Sequence, residues 1–447
     1  MAYAMERKIR VLELHSSFGY AGGGARALVT FAKYLDKSLF EVFAASYFSC
    51  GPQKDALSAL GIEAFCADGD SGKILDFIRD RKIDIVHIHR SGGTVPIETE
   101  IIRGAKSIDP KIVIVEKNVF GMHDPACEGD ISCSLFQSMM HVHERYLPAS
   151  GKRFDFGSMK VFYNPADAAH LEEFRATDAE IAAYRRTLGV GPDDILLGKV
   201  ARPHIAKWSD LIVEMLPYAA HLVPNLKFVI VGVPASRMKS LARSRFRDRL
   251  ILIREISDER EERLLYQAID ILAHSSKIGE CNGNAINEAM FWGKPVVTDS
   301  TPRRDNGQLE QVDHLRTGIV ANSPETFARA VAYLATNPDA RRVMGDAARA
   351  AVLARNDAPS LARRLEKVFF EALIVAGALP ASSVPDRYAD IAYSPAEAEI
   401  AAYPAEYSRR LLWDFGTRSI VERVWDLARL PRRLHRKIAD FFEARFG

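Results

Sequence analysis

Cysteine is scarce in this chain: Cys50, Cys66, Cys127, Cys133 and Cys281 are spread over 447 residues, and no CxxC pair occurs. Thiols so few and so scattered exclude a disulfide framework and point to a reducing compartment. Long apolar runs are missing too. No stretch approaches the roughly 18 apolar residues that cross a bilayer, and the polar Met1–Arg10 lacks the apolar core of a signal peptide. The expected address is the cytoplasm, or the inner face of its membrane. A dominant charge sign is absent as well, since 60 Lys and Arg against 58 Asp and Glu leave a net charge of +2. That balance argues against a chain coated in nucleic acid. No internal repeat of about 20 to 50 residues is visible.

What is present is an ordinary globular composition, 48% hydrophobic and 26% charged, long enough at roughly 150 residues per domain for two large lobes and something smaller. Short runs rich in Val and Ile recur between segments with helical spacing, the pattern of parallel strands joined by crossover helices. The first set is Val11–Leu14, Val42–Ala45, Ile83–Ile88, Ile112–Val115 and Lys160–Tyr163. The second is Leu196–Val200, Phe228–Val231, Leu250–Ile253, Ile269–Ala273, Pro295–Val297 and Gly318–Val320. Each run is continuously apolar, as strands covered on both faces are. Between the sets, Asn164–Asp194 carries turn residues around one helical stretch, Asp178–Thr187, and reads as a connection. The expected fold is α/β: two facing, Rossmann-like, doubly wound parallel-sheet lobes, 1–165 and 166–375. Residues 376–447 form a Pro/Ala-rich linker and a helical extension. In open α/β sheets ligands sit beyond the carboxyl ends of the strands, so chemistry is expected in the loops that follow them.

Three such loops stand out. After the first strand, His15–Arg26 contains Gly22, Gly23 and Gly24 and opens into a helix expected from Ala27 to Leu35. Glycines let backbone N–H groups approach a phosphate at the helix start, although a tight turn without a ligand gives the same pattern. The dinucleotide fingerprint is matched only loosely, because Glu41 begins the second strand rather than ending it. After Val200, Arg202 and Lys207 place two cations where they could hold a diphosphate; a basic surface loop is the plainer reading. The third and most specific segment is Lys277–Val297. There a Gly- and Asn-rich loop carries Glu280 and Gly283, a helix begins near Asn284, Glu288 follows on it, and Gly293-Lys294-Pro295 closes it. Carboxylates at these two places can accept hydrogen bonds from sugar and ribose hydroxyls.

With these residues in view, the chain resembles the retaining GT-B glycosyltransferases typified by glycosyltransferase family 4, the glycosyl transferases group 1, over about residues 8–375. The Glu280–Glu288 motif and its Gly-Lys-Pro-Val-Val sequel carry most of the resemblance. Supporting parts are the Gly-rich loop, Asp84-Ile85-Val86-His87-Ile88-His89, Asn164-Pro165-Ala166-Asp167, Arg202 with Lys207, and Tyr266-Gln267-Ala268-Ile269-Asp270.

The resemblance implies transfer of a sugar from a nucleotide-sugar donor to a hydroxyl with retention, without an essential metal or other cofactor. The acceptor would be a glycan or a lipid-linked molecule of cell-surface polysaccharide synthesis. Glu280 would face the donor sugar, Glu288 the ribose, and Arg202 and Lys207 the diphosphate. Gly22–Gly24, Gly283 and Asn284 would complete the donor site. Asn118 stands where such families often carry a His, and an amide is no base; His123 is the alternative. A nucleotide-sugar epimerase of the same fold, or a non-catalytic nucleotide-sugar-binding protein, are the rival readings.

Three features stay open. His123, Cys127, Cys133, His141 and His143 could be read as a zinc site, but their spacings match no standard pattern, and Cys133 and His141 fit a helix beneath the lobe. His87 and His89 are expected one buried and one facing a cleft. In the tail, residues 404–447 hold ten bases against six acids, a surplus of four. Leu434, Ile438, Phe441, Phe442 and Phe446 share one helix face among Arg432, Arg433, Arg436 and Lys437. Such a helix, 432–446, either packs on protein or rests on an anionic membrane.

Overall fold

The computed structural model describes residues 7–19, 23–90, 95–119, 126–141, 159–301 and 304–409. The chain divides into two compact units: Met1–Asp167 with Asn356–Tyr403, and Ala168–Arg355 with Pro404–Gly447.

The first unit is built on seven parallel strands: β1 (Ile9–Ser17), β2 (Phe40–Ser49), β3 (Glu63–Cys66), β4 (Ile85–Arg90), β5 (Val113–Asn118), β6 (Gly129–Ser132) and β7 (Met159–Val161). Their order is β3-β2-β1-β4-β5-β6-β7, reversing direction of growth between β1 and β4. All five strands expected here form. β3 and β6 escaped the sequence reading because neither is a continuous apolar run: β3 is an edge strand with an exposed Glu63, and β6 reads Gly-Asp-Ile-Ser. Because β3 lies beside β2, Cys50 and Cys66 come to a Cα separation of 5.7 Å and are joined by a disulfide. This corrects the expectation of scattered thiols for that pair.

Both faces of this sheet are covered. On one face Ile74, Ile78, Ile101 and Ile102 pack from crossover helices onto Leu12, Val86 and Ile114. On the other, Leu28 and Phe31 of the helix Gly23–Tyr34 meet Leu361, Leu365, Phe369, Phe370 and Leu373 of the helix Ala358–Val375. That last helix was expected in the second lobe. It belongs to the first unit because its apolar face completes the cover over Val11, Val42 and Val113. The returning chain is fastened by the Asn164–Asp167 segment: Asn356 Nδ2 donates to Asn164 O (2.7 Å), and Ala166 N donates to Asn356 O (2.7 Å). Asp167 in turn accepts from Lys33 Nζ (2.6 Å) and Tyr34 Oη (2.7 Å).

The second unit holds six parallel strands: β8 (Ile195–Val200), β9 (Leu226–Val231), β10 (Leu250–Ile253), β11 (Ile271–His274), β12 (Val296–Thr298) and β13 (Gly318–Val320). Their order is β10-β9-β8-β11-β12-β13, so the switch point lies between β8 and β11. All six match expected strands. The helix Asp178–Thr187 forms as expected and is started by a reciprocal capping box between Thr177 and Glu180. Asp270, from the Tyr266–Asp270 motif, accepts from Leu196 N (2.7 Å) and Arg185 Nη1 (3.1 Å), tying the start of β8 to that of β11.

A helix spans Glu397–Arg409 in the expected extension. The amphipathic segment 432–446 lies outside the described residues, as do Gly22, His123 and His143. No described helix is long and apolar enough to cross a membrane.

Packing of the Ala358–Val375 helix yields a stability prediction. Phe369 is fully buried against Phe40 and His87, so Phe369→Ala should lower the unfolding free energy of the first unit by about 3–5 kcal/mol. Urea denaturation should show the loss in the transition of the first unit and leave that of the second in place. A loss below about 1 kcal/mol would mean the helix is not part of that core.

Candidate functional site

β8 and β11 are neighbours, and their carboxyl ends bring Lys207, His274 and Glu280 of the second unit together. Lys207, on the loop after β8, donates from Nζ to Glu280 Oε2 at 2.8 Å. His274, the last residue of β11, lies with Nε2 3.3 Å from Glu280 Oε1. Lys199, buried in β8, donates to Ser275 O at 2.7 Å. Burial alone would raise the Glu280 carboxyl, but the Lys207 charge and the His274 contact outweigh it and hold it well below its ordinary value. Burial pushes the Lys199 ammonium down to about 8, against the pull of Glu280 and Asp299. Burial also keeps His274 below its ordinary value. At neutral pH Glu280 is therefore a carboxylate with the neutral His274 imidazole alongside. Immediately after β11, the buried hydroxyls of Ser275 and Ser276 have no hydrogen-bond partner among the described residues.

The loop carrying Glu280 needs glycine at defined places. Gly279 has φ +70°, and a Cβ there would stand 1.6 Å from Asp305 O. Gly283 caps the helix Asn284–Phe291, whose eight residues begin at the expected Asn284. Glu288, on that helix, is nine-tenths buried and pairs with Arg263 Nη1 at 2.7 Å, while Arg263 Nη2 holds Glu259 at 2.8 Å. Both carboxylates of the motif are thus ion-paired, each leaving a small exposed edge. Arg202 is exposed on the loop after β8. Gly232 has φ +89° and a Cβ there would meet Ala201 O at 1.9 Å, which seats the loop after β9 against the loop that carries Arg202.

Sequence reasoning missed several of these residues. Lys199 could have been noticed as a charge inside an apolar strand, and Gln308 and Gln311 as two amides three apart after β12. His274 carried no signal, since its role depends on which strand neighbours β8.

The other candidate residues lie in the first unit. The helix after β1 begins at Gly23, four residues earlier than expected. A Cβ on Gly24 would stand 2.5 Å from His15 Nε2, and the His15 ring is fixed by Nδ1 against Ser17 O at 2.7 Å. Asn118 ends β5 with its side chain wholly buried. Beside it Arg90 is buried between Glu98 (2.9 Å) and Glu116 (2.7 Å), and Lys117 donates to Cys133 Sγ (3.0 Å) and Asn164 Oδ1 (3.1 Å). Cys133 thereby accepts a lysine contact.

His87 and His89 correct the expectation for the strand. Two positions apart, they share one face of β4, and both are buried against Glu13 of β1. Glu13 Oε2 lies 2.9 Å from His87 Nδ1 and 2.9 Å from His89 Nε2. The donor atoms of these three residues lie within 4.8 Å of one another, close enough for a metal ion. The hydrogen bonds between them already satisfy the carboxylate. Burial, with His87 and Lys117 adding like charge, pushes His89 down to about 3, and the two imidazoles hold Glu13 at about 2 against its own burial.

Residues 180–351 match the family described as glycosyl transferases group 1. Among solved structures, Anabaena HepE in complex with UDP superposes with a TM-score of 0.63 at 19% identity, covering 80% of this chain and 99% of that one. A glycosyltransferase from Rickettsia africae gives 0.67 at 17% identity, covering 82% and 99%. WaaG, a glycosyltransferase involved in lipopolysaccharide biosynthesis, gives 0.56 at 15%, covering 80% and 99%. No curated protein sequence matches. The fold is GT-B.

Two predictions follow from the charges. Lys207→Met strands a buried carboxylate and should cost the second unit about 3–5 kcal/mol at pH 7. Glu280 has a depressed folded pKa, so its paired contribution is full above its ordinary 4.5 and drains below it. The stability gap between wild type and variant should therefore narrow as pH falls below about 4.5, and Lys207→Met/Glu280→Gln should recover most of the loss. An equal gap at pH 7 and pH 4 would refute the pairing. In the first unit, His89 and Glu13 both bind protons less readily folded than unfolded, so stability falls as pH drops from 6.5 toward 3 and further from 4.5 toward 2. Replacing His89 by Phe should flatten the upper part of that slope in a pH series of urea titrations.

Proposed function

We propose, for a chain that carries a glycosyl transferases group 1 domain within a GT-B fold, a retaining sugar transfer from a nucleotide sugar to a hydroxyl. The acceptor in this reading is a glycan or a lipid-linked molecule of cell-surface polysaccharide synthesis. The observation that carries it is the Lys207–Glu280 pair at the carboxyl ends of adjacent strands, beside the first turn of the helix Asn284–Phe291. A nucleotide sugar needs hydroxyl acceptors next to a cation and a helix start, and these groups supply both.

In this reading Glu280 accepts from donor-sugar hydroxyls and Glu288 from the ribose. Lys207, with the exposed Arg202 of the same loop, meets the diphosphate, while Gly283 and Asn284 bring the helix start to it. The bond from the anomeric carbon to the diphosphate breaks, and the electron pair leaves on the phosphate oxygen. The acceptor hydroxyl oxygen bonds to that carbon from the same face, passing its proton to the departing phosphate. Two side-chain cations stabilise the charge on the leaving group, so the reaction as drawn calls on no metal or other cofactor. Asn118 is assigned no proton transfer, since an amide is neither acid nor base in this range. Contact of 432–446 with an anionic membrane would bring the chain to a lipid-linked acceptor on the cytoplasmic face.

HepE has been crystallised with UDP-glucose, which makes uridine nucleotide sugars the first donors to test. A thermal-shift series over nucleotide sugars should find one that stabilises the second unit, by about 2.7 kcal/mol at 100 times its dissociation constant. With that donor and a competent acceptor, Glu280→Ala should reduce transfer by about 10²-fold or more. Unchanged transfer would refute the site, and rapid epimerisation of the donor without an acceptor would favour the epimerase. Binding without turnover under any acceptor would favour a non-catalytic protein.

A further inference from the structure

The loop that holds Glu280 is fixed from outside, by a segment about 28 residues later in the chain. Gly307 N donates to Glu280 O at 2.7 Å, and Glu280 N donates to Gln308 Oε1 at 3.1 Å. Gly283 N donates to Gln311 Oε1 at 2.7 Å, and Gln311 Nε2 returns a bond to Gly283 O at 3.0 Å. Both backbone groups of Glu280 and of Gly283 are therefore held by residues 307–311. Gln311 Nε2 also donates to Asn287 Oδ1 (2.7 Å), and Asn287 donates to Asn282 Oδ1 (2.9 Å), which extends the amide chain around the loop. Gln308 Nε2 donates to Asp299 O (3.1 Å) and Thr301 Oγ1 (2.7 Å), anchoring the clamp to the end of β12. Each glutamine, 1% exposed, uses its acceptor and both donor directions, so neither amide is interchangeable with an apolar side chain of similar length.

The clamp has its own support. Asn306 Oδ1 accepts from Thr301 N (2.8 Å), and its Nδ2 donates to Ser300 Oγ (3.1 Å) and to Tyr407 Oη (2.9 Å). Tyr407 comes from the helix Glu397–Arg409, within the portion of the extension that belongs to the second unit.

We infer that Gln308 and Gln311 are positioning residues for the donor: Gln308 sets the place of the Glu280 carboxylate, Gln311 sets the start of the helix Asn284–Phe291, and Tyr407 braces both through Asn306. This deepens the reading of the site as a nucleotide-sugar site and rests on it. Gln308 acts on the sugar end and Gln311 on the turn that faces the diphosphate, so their losses separate. A displacement of Glu280 by about 1 Å suffices to weaken its contacts to sugar hydroxyls.

The test measures UDP and UDP-glucose affinities by calorimetry, with KM and kcat where transfer is established, on the full chain. Gln308→Met should weaken UDP-glucose about tenfold and leave UDP within twofold, raising KM more than it lowers kcat. Gln311→Met should weaken both. A purely structural role would lower the melting temperature of Gln308→Met and leave the UDP-glucose to UDP affinity ratio unchanged, which would overturn the inference. Should Gln308→Met not fold, Tyr407→Phe removes only a hydroxyl. It should weaken UDP-glucose about threefold, and an unchanged ratio there is equally fatal. A wild-type chain that binds neither ligand counts against the nucleotide-sugar reading itself. A wild type that binds UDP-glucose, with variants of unchanged ratio, counts against the clamp alone.

Discussion

A carboxylate with nine-tenths of its surface withdrawn from water must be matched by a cation and hydrogen bonds, and the arrangement of the second unit follows from how Glu280 is matched. Lys207 supplies the charge and His274 a contact, both delivered by strands that are adjacent only because the sheet reverses between β8 and β11. The ion pair ties the loop after β8 to the loop after β11. It also decides protonation: with Lys207 beside it the carboxyl stays ionised, as an acceptor of hydroxyl hydrogen bonds has to be. Lys199 and its bond to Ser275 O hold the backbone at the end of β11 from below, so the pair rests on a second buried lysine.

The first unit has the same topology and uses its switch point differently. Glu13 and His87 face each other across β1 and β4, with His89 one step further, at the junction that corresponds to β8 and β11 in the second unit. Here the two imidazoles satisfy the Glu13 carboxylate and are packed by Phe31 and Phe369, leaving at most 2% of any of the three exposed and His87 Nε2 without a partner among the described residues. The second unit instead leaves an edge of Glu280 open and the hydroxyls of Ser275 and Ser276 without partners among the described residues. Buried polar groups without partners are costly and call for a reason such as a catalytic role, a water or an ion. The two switch points thus differ in whether their carboxylate is wholly enclosed or keeps an open edge.

How much of this could be read from the sequence depended on whether a residue's role is local. Strands covered on both faces write themselves as apolar runs, and the Glu280–Glu288 motif is local in sequence, so both were legible. The pairing partners were not. Nothing near Glu288 announces Arg263, and nothing near Glu280 announces Gln308, because those contacts depend on which strands and helices become neighbours. The assignment of His87 and His89 to opposite sides failed on a local rule, since residues two apart on a strand point the same way. β3 was missed as a polar edge, and with it the neighbourhood of Cys50 and Cys66.

The same distinction governs the end of the chain. Composition suggests that the residues after about 376 are an appendage, because the alternation of strands and helices stops and Pro, Ala and Ser rise. Packing says otherwise. The helix Ala358–Val375 supplies a layer of the first unit's core, and Tyr388 and Arg387 beyond it bond to Glu366 and Asp36 of that unit. Tyr407 then bonds to Asn306 in the second unit. A core layer cannot be removed without exposing the apolar face it covers, and a buried hydroxyl cannot be removed without stranding the amide that donates to it. The described residues after about 376 therefore contribute structural contacts to the units they belong to.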